Sequence, residues 1–457
     1  MNSSEKTELF ETMPIPKASM RLAVPCVLSS LVMILYNLAD TYFVGMLNDS
    51  LQNAAVTLTA PVILAFNAVN NLFGVGSGSR MSRLLGLKDH EGVKRTAAFG
   101  FYLSLLASAL ISAASLLWKE PLLSLLGARP ENMAATGEYL FWTVTCGAVP
   151  AILNVVMANM VRAEGSALHA AVGTMSGCIL NIILDPVFIL PGGLGMGAAG
   201  AGLATFLSNS AALLYYLVLL RVRRGKTFVC ISFKYLAPAP GQVKDVFGVG
   251  VPAAIQNLLN VTGMTILNNM MAEFGSAAVS AAGIAHKITM IPMYISMGVT
   301  QGVMALIGYN FAARNAKRMK GAIRFTLKLS IVFEVAVTAL YFIFAEQIMG
   351  MFSQVPDILS YGTAFTRGMC LAQPFLALDF LAVAVFQACG MGARSLLFAV
   401  LRKIVLEIPA LYILNALFPM YGMAYAQLCA ELVLAAAALF LLRKVFREAF
   451  GWTVKAE

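Results

Sequence analysis

The chain has 457 residues, of which 59% are hydrophobic and 12% are charged, and its mean hydropathy is +0.79. About a quarter of the residues of a soluble protein are charged, so these values exclude an ordinary soluble protein and indicate an integral membrane protein. The formal net charge of +10 does not indicate nucleic-acid binding, because most Lys and Arg residues fall in alternate loops, as in a multi-pass membrane protein.

Apolar runs of membrane-spanning length recur along the whole sequence and predict an all-α protein with twelve transmembrane helices. The predicted spans are 18–45, 52–79, 93–118, 133–160, 167–190, 197–220, 246–272, 279–307, 323–345, 357–388, 396–418 and 421–442. Lys and Arg concentrate in the connections that follow the even-numbered spans. The positive-inside rule therefore predicts a cell-membrane protein with both termini in the cytoplasm.

The polar breaks between these runs predict the domain organisation. Residues 1–17 lack the features of a cleaved signal peptide, and we expect them to form a cytoplasmic N-terminal segment. The longest break, 221–245, separates six spans from six and is predicted to be a cytoplasmic linker. It divides an N-terminal lobe, 18–220, from a C-terminal lobe, 246–442, and a cytoplasmic tail is expected at 443–457.

The two halves of the sequence resemble each other. Gly165 matches Gly390 at an offset of 225 positions, and Pro25 matches Pro252 at an offset of 227. Such a small drift indicates a duplication. Because six spans return the chain to the same side, the two six-helix bundles are predicted to be parallel repeats around a central cleft that carries the substrate.

The first span ends in the run Tyr36-Asn-Leu-Ala-Asp-Thr-Tyr-Phe-Val-Gly45, which places Asp40 among apolar residues. A charge at the centre of a spanning helix costs roughly 2.5–3.5 kcal/mol on insertion scales, so such acids usually face a cavity on an ion or substrate path. An acid close to a helix end can instead extend into the headgroup layer. Asp40 is the first candidate functional residue.

The fifth span contains Asn181 and Asp185, which lie one helical turn apart on one face. At 1.5 Å per residue, Asp40, Asp185 and Thr205 of the sixth span are all roughly 8–12 Å from the outer ends of their helices. We therefore expect them to form one cluster. Two carboxylates in a dry pocket cannot both stay ionised cheaply, so the pair should hold a proton or bind a cation such as Na⁺.

The second half has no equivalent acids, since Leu267 and Ala410 stand opposite Asp40 and Asp185. Asp379 is interpreted either as a second ionisable site or as a structural partner of Arg367 or Lys287. Flexible methionines at helical spacing suit an adaptable cavity, although core or lipid-facing packing is the more frequent explanation of such a pattern. The residues predicted to line the substrate path are Tyr36, Asn37, Asn67, Asn70, Gln256, Asn260, Met290, Met293 and Asp379.

Several motifs together resemble the multidrug and toxic compound extrusion (MATE) family of cation-coupled antiporters. They are the Tyr36 to Gly45 run, Arg162-Ala-Glu-Gly165, Leu180-Asn-Ile-Ile-Leu-Asp-Pro-Val-Phe188 and Gly308-Tyr-Asn-Phe-Ala-Ala-Arg314. The resemblance implies two six-helix bundles around a V-shaped cleft, and export of organic compounds in exchange for H⁺ or Na⁺.

The resemblance also implies specific ion-site residues. One branch of the family uses an acid in the first helix, an Asn and an Asp in the fifth, and a Thr in the sixth. Carried over to this sequence with one addition in the fourth span, that set is Asp40, Asn181, Asp185, Thr205 and Asn154. Another branch has a glutamate in the seventh helix, and Asn260 stands at that position here, so a cation site of that type is not expected.

The resulting hypothesis is an alternating-access antiporter that exports small amphipathic or cationic compounds. A flippase for a lipid-linked glycan is the alternative, and it predicts a cavity lined by arginines. We do not expect an enzyme, since the sequence shows neither a nucleophile nor an acid/base pair at the headgroup boundary, and the seven cysteines show no metal-binding spacing. We expect a monomer in the lipid bilayer that binds small molecules, no nucleic acid, and no cofactor beyond the coupling H⁺ or Na⁺.

Overall fold

The computed structural model describes residues 3–47 and 49–451, so residues 452–457 of the predicted tail lie outside the described part. Across these residues the regular structure is helical, without strands. Twelve helical segments correspond to the predicted spans, which confirms the all-α membrane fold. They are Ile15–Gly45, Ser50–Gly86, His90–Leu117, 133–163, Ala167–Ile189, Ala198–Val222, Gln242–Ala272, Ser276–Ala312, Ala316–Ile343, 356–388, 392–417 and 421–450.

Several spans are interrupted, and three interruptions are π-helical. Wide π-turns occur frequently at functional sites. The three π-helical interruptions are Asn71–Val75 in the second span, Phe141–Cys146 in the fourth and Leu401–Glu407 in the eleventh. Short helices at Ser3–Glu11, Lys119–Leu125 and Ala345–Gly350, and 3₁₀ turns at Phe233–Tyr235 and Tyr421–Tyr425, complete the regular structure.

Within residues 3–47 and 49–451, ten spans are long and apolar enough to cross a membrane. Eight qualify alone, and the fourth and tenth qualify as pairs of helices bent by 47° and 46°. The seventh span is too polar to qualify, and the eleventh carries Arg402, Lys403 and Glu407. Polar groups at membrane depth require protein partners or a water-filled cavity. The polar groups of these two helices therefore require partners within the protein or a water-filled cavity.

The helices form two compact units. The first unit comprises the residues up to Thr12 together with Leu28–Ala254, and the second comprises Met13–Val27 and the residues from Ile255 onward. The predicted linker, 221–245, belongs to the first unit and packs on it. Its Ile231 carbonyl accepts a hydrogen bond of 2.7 Å from the Tyr102 hydroxyl, and Asp245 forms an ion pair with Arg80.

The short N-terminal helix is fixed to the first unit by a buried ion pair. Lys6 Nζ lies 2.9 Å from a carboxylate oxygen of Glu164, and both side chains are 4% exposed. Glu164 also accepts a 2.8 Å hydrogen bond from the Phe228 N–H. Next to it, Gly165 has φ +88°, and a Cβ there would lie 2.9 Å from the Phe10 ring, so glycine is required. This part of the Arg162 to Gly165 motif is structural.

Candidate functional site

The centre of the site is Asp185, which is completely buried near the end of the fifth span. Asn181, one turn earlier, is 2% exposed. In the amide orientation that satisfies both of its neighbours, Asn181 donates to the Asp185 carboxylate oxygens at 2.8 and 3.2 Å and accepts from the Thr205 N–H at 3.1 Å. The fifth and sixth spans thus hold Asp185, Asn181 and Thr205 together.

Asp40 approaches this group from the first span. It is half-buried, and its carboxylate interacts electrostatically with that of Asp185. One turn before it, the half-buried Tyr36 makes a side-chain hydrogen bond with Thr205. The structure therefore places Asp40, Asp185, Asn181 and Thr205 in one recess, built from three helices of the first unit.

The polar contacts continue deeper into the first unit. The Asn154 amide is buried and donates to Asn209 Oδ1 at 2.9 Å and to the Pro150 carbonyl at 2.8 Å. Asn209 lies one turn beyond Thr205 on the sixth span. The hydrogen bonds of Asn154 are thus to amide and carbonyl groups rather than to the two acids.

The structure adds Tyr139, which the sequence analysis did not identify. Its ring is 5% exposed, it interacts electrostatically with Asp40 and Asp185, and it makes a side-chain hydrogen bond with Thr59. An isolated tyrosine in an apolar helix gives no sequence signal. Tertiary packing alone brings it to the site.

An apolar cluster covers the ends of these helices one turn beyond the two acids, and we call it the outer cluster. Its buried members are Val44, Ala55, Tyr139, Ile189, Ala198 and Ala201. The Ala198 N–H is held by Gln52 Oε1 at 2.8 Å, and Gly197, at φ +58°, leaves no room for a Cβ beside that amide. The cluster excludes water from one side of the acids, which strengthens their mutual repulsion.

The arrangement can bind one small cation or proton. Two carboxylates, a hydroxyl and amide groups are hard oxygen ligands or hydrogen-bonding partners, and the surroundings disfavour two negative charges. The recess has two carboxylates. Among the described residues, no group of three or more His, Cys, Asp or Glu side chains is placed to hold a metal ion together.

In the second unit, Asp379 is buried and paired with Arg402, which also donates to Asn260. The expectation that Asp379 pairs with Arg367 or Lys287 was wrong. Arg367 instead donates from Nε to the Phe342 carbonyl at 3.1 Å. Arg402 was missed because it lies 23 positions along the chain, on a different helix, and spacing gives no sign of the contact.

The other residues predicted to line the substrate path differ in their burial and in their contacts. Asn37 is exposed and donates to the Met33 carbonyl at 2.9 Å, and the Gln256 side chain accepts from Gln387 at 3.4 Å. Asn70 is buried, and its Oδ1 has no hydrogen-bond partner. Three are half-buried, namely Asn67, Met290 and Met293.

Two further buried acids were missed. Glu334 is 1% exposed and accepts a hydrogen bond from Ser296, and Glu431 is completely buried. Both stand inside apolar runs of predicted spans, so they carry the same sequence signal as Asp40, an acid among apolar residues.

Comparison with known proteins confirms both the duplication and the fold. The profile of the MatE family matches residues 25–187 and again residues 252–413. The multidrug export protein MepA of Staphylococcus aureus (strain MSSA476) is 32% identical over 439 residues, covering 96% of this chain and 95% of MepA.

Solved structures give the same result. An outward-facing multidrug resistance MATE family transporter superposes with a TM-score of 0.92 at 27% identity, covering 99% of this chain and 100% of that chain. A MOP superfamily transporter from Pyrococcus furiosus gives 0.88 at 27% identity, with the same coverage. Fold and site therefore define a duplicated multi-pass membrane transporter. The chain belongs to the MATE family.

Proposed function

We propose that this protein is a multidrug efflux antiporter that exports small amphipathic or cationic organic compounds in exchange for H⁺ or Na⁺. The observation that carries the proposal is the recess in which the buried Asp185, hydrogen-bonded by Asn181, interacts with the half-buried Asp40. The names of the relatives support the substrate class, since MepA is described as a multidrug export protein.

Coupling follows from differential binding. An ion shifts a conformational equilibrium only if it binds one state more tightly than the other. Asp40 and Asp185 stand on separate helices, so a change in the first span would alter the distance between the two carboxylates and with it the affinity for a cation. In this scheme the external ion displaces the substrate during an alternating-access cycle.

The remaining parts of the proposal concern the setting. The protein would act as a monomer in the cell membrane with both termini in the cytoplasm, without a cofactor other than the coupling ion. The polar residues of the second unit, including Gln256 and Asn260, would contact the substrate rather than the ion, because the Asp379 carboxylate is already paired with Arg402.

A lipid-linked glycan flippase is supported less well. Binding a pyrophosphate group requires arginines free to contact it. Arg402 is buried against Asp379, and Arg367 is engaged with Phe342.

The test is efflux of a fluorescent organic cation from proteoliposomes under an imposed H⁺ gradient and, separately, an imposed Na⁺ gradient. The wild-type protein is expected to respond to at least one gradient, and Asp40→Asn to neither. Glu131→Gln, which neutralises an exposed acid of the same unit, serves as the control and should transport normally. Equal efflux by wild type and Asp40→Asn under both gradients would show that the ion site is elsewhere.

A further inference from the structure

The second unit contains a group of five ionisable residues near the middle of its helices, four of them buried and Lys403 half-buried, which we call the charge cluster. Its members are Asp379, Arg402, Lys403, Glu407 and Glu431. Asp379 lies nine residues from the end of its span, and Arg402 and Glu431 lie ten residues from the starts of theirs. At 1.5 Å per residue this is roughly 14–15 Å, about half the thickness of the hydrocarbon core.

The charges of the cluster do not balance. It has three carboxylates but only two basic groups, so full ionisation would leave one uncompensated negative charge. Burying such a charge is costly, and a buried carboxylate without a partner becomes neutral by taking up a proton.

The hydrogen bonds show which acid lacks a partner. Asp379 is paired with Arg402, and Glu407 accepts a 2.6 Å hydrogen bond from Lys403. Glu431 is completely buried, and neither of its carboxylate oxygens has a hydrogen-bond partner. It interacts electrostatically with the charges of the other four members.

The groups that face Glu431 favour a proton over a metal ion. The tenth span contributes Asp379, the eleventh contributes Arg402, Lys403 and Glu407, and His286 of the eighth interacts with Lys403 and Glu407. The Arg402 guanidinium already occupies the cation position beside Asp379. A metal ion placed between Asp379 and Glu431 would be repelled by the positive charge of Arg402.

We propose that Glu431 is a proton-binding site of the second unit, and that Arg402 controls whether its proton is retained. While Arg402 pairs with Asp379, Glu431 holds its proton. When the guanidinium turns toward Glu431, the carboxyl releases the proton and the carboxylate becomes the new partner of Arg402, while Asp379 takes up a proton. Arg402, Lys403 and Glu407 all lie on the π-helical turn Leu401–Glu407, whose looser geometry suits such a rearrangement.

Infrared spectroscopy of the purified full-length protein tests this directly, independently of transport, by detecting protonated carboxyl groups at neutral pH. The wild-type minus Glu431→Gln difference spectrum is expected to show the loss of one protonated carboxyl, while signals from other buried acids cancel. Glu448→Gln is the matched control, because Glu448 lies on the same helix, is 41% exposed and is paired with Arg394 at 2.5 Å. This control should lose an ionised carboxylate instead.

A second variant keeps the proposal testable if Glu431→Gln folds poorly. Lys403→Gln removes one base, so the excess of negative charge grows from one to two, and the protonated-carboxyl signal of the cluster is expected to rise about twofold. The proposal is overturned if Glu431→Gln loses ionised carboxylate rather than protonated carboxyl, or if Lys403→Gln leaves the protonated signal unchanged.

Discussion

The two units are copies of one ancestral repeat. They share their apolar packing at one end of the helices, but their ionisable residues lie at different positions. In the first unit Val44, Ile189, Ala198 and Ala201 belong to the outer cluster. Their counterparts in the second unit also pack in one apolar cluster, and they are Met271, Leu414, Met423 and Ala426. The apolar end of the repeat has kept its packing.

One turn further in, the copies differ. Asp40 and Asp185 correspond to Leu267 and Ala410, and both of these pack against the apolar cluster of the second unit. Asn181 and Thr205 correspond to Leu406 and Ala430, and the charged residues Glu407 and Glu431 follow one position later. One residue is about 100° around a helix, so the acids of the second unit point to a different face. The two copies have kept the same apolar packing, while their ionisable residues now lie at different positions along and around the helices.

The largest expected effect comes from removing one of the two acids that only the first unit has. Asp185→Asn should reduce gradient-driven efflux to that of protein-free liposomes, because it leaves Asp40 without the second carboxylate with which it would share a proton or cation. Proteoliposome efflux under H⁺ and Na⁺ gradients measures this. Asp357→Asn, an exposed acid of the second unit, is the control. Retention of efflux by Asp185→Asn would contradict the proposed difference between the units.

The next largest effect concerns the buried ion pair between Asp379 and Arg402 in the second unit. Arg402→Met leaves Asp379 buried without its partner and should destabilise the protein by about 3–5 kcal/mol. The measurement is the thermal unfolding midpoint in detergent. The double variant Arg402→Met/Asp379→Leu should recover most of the loss, since it removes both charges. A single variant as stable as wild type would mean that the pair is not buried.

Placing an acid of the first unit in the second should destabilise rather than create a site. Ala410→Asp puts a carboxylate against the apolar cluster, where Leu406 replaces the amide of Asn181. We expect a cost of roughly 2.5–3.5 kcal/mol. The unfolding midpoint of Ala410→Asp, compared with that of Ala410→Leu, separates charge from size. Equal midpoints for the two variants would show that the second unit tolerates the acid.

The smallest effect concerns the end of the recess. Gln52→Ala removes the acceptor of the Ala198 N–H and should cost about 1–2 kcal/mol, because that amide is left without its partner. Gln52 corresponds to Val279, whose side chain packs against the apolar cluster of the second unit and has no acceptor for such a bond, so Val279→Ala provides the comparison. Hydrogen exchange at the start of the sixth span should increase only in Gln52→Ala.

The sequence could predict the site where its signal is local. An acid within an apolar run marks Asp40, and the spacing of four residues places Asn181 and Asp185 on one face. The same signal marks Glu431, which lies within the apolar run of the twelfth span. Contacts between distant helices have no such signal, because the pairing of Asp379 with Arg402 depends on how the tenth and eleventh spans pack.

The helix boundaries were likewise predicted only in part. Hydropathy located all twelve spans, but it extended neither the second span to Gly86 nor the eighth to Ala312, since helices continue beyond the hydrocarbon core. The π-helical turns were not predicted, because they arise where packing forces an extra residue into a helix and composition does not record them.

The ion pair between Lys6 and Glu164 makes the short helix Ser3–Glu11 part of the fold of the first unit. Removing this helix would take away Lys6 and the Phe10 ring that lies against Gly165, and it would leave Glu164 buried without its cation. A truncation that spares every membrane span would therefore still weaken the first unit.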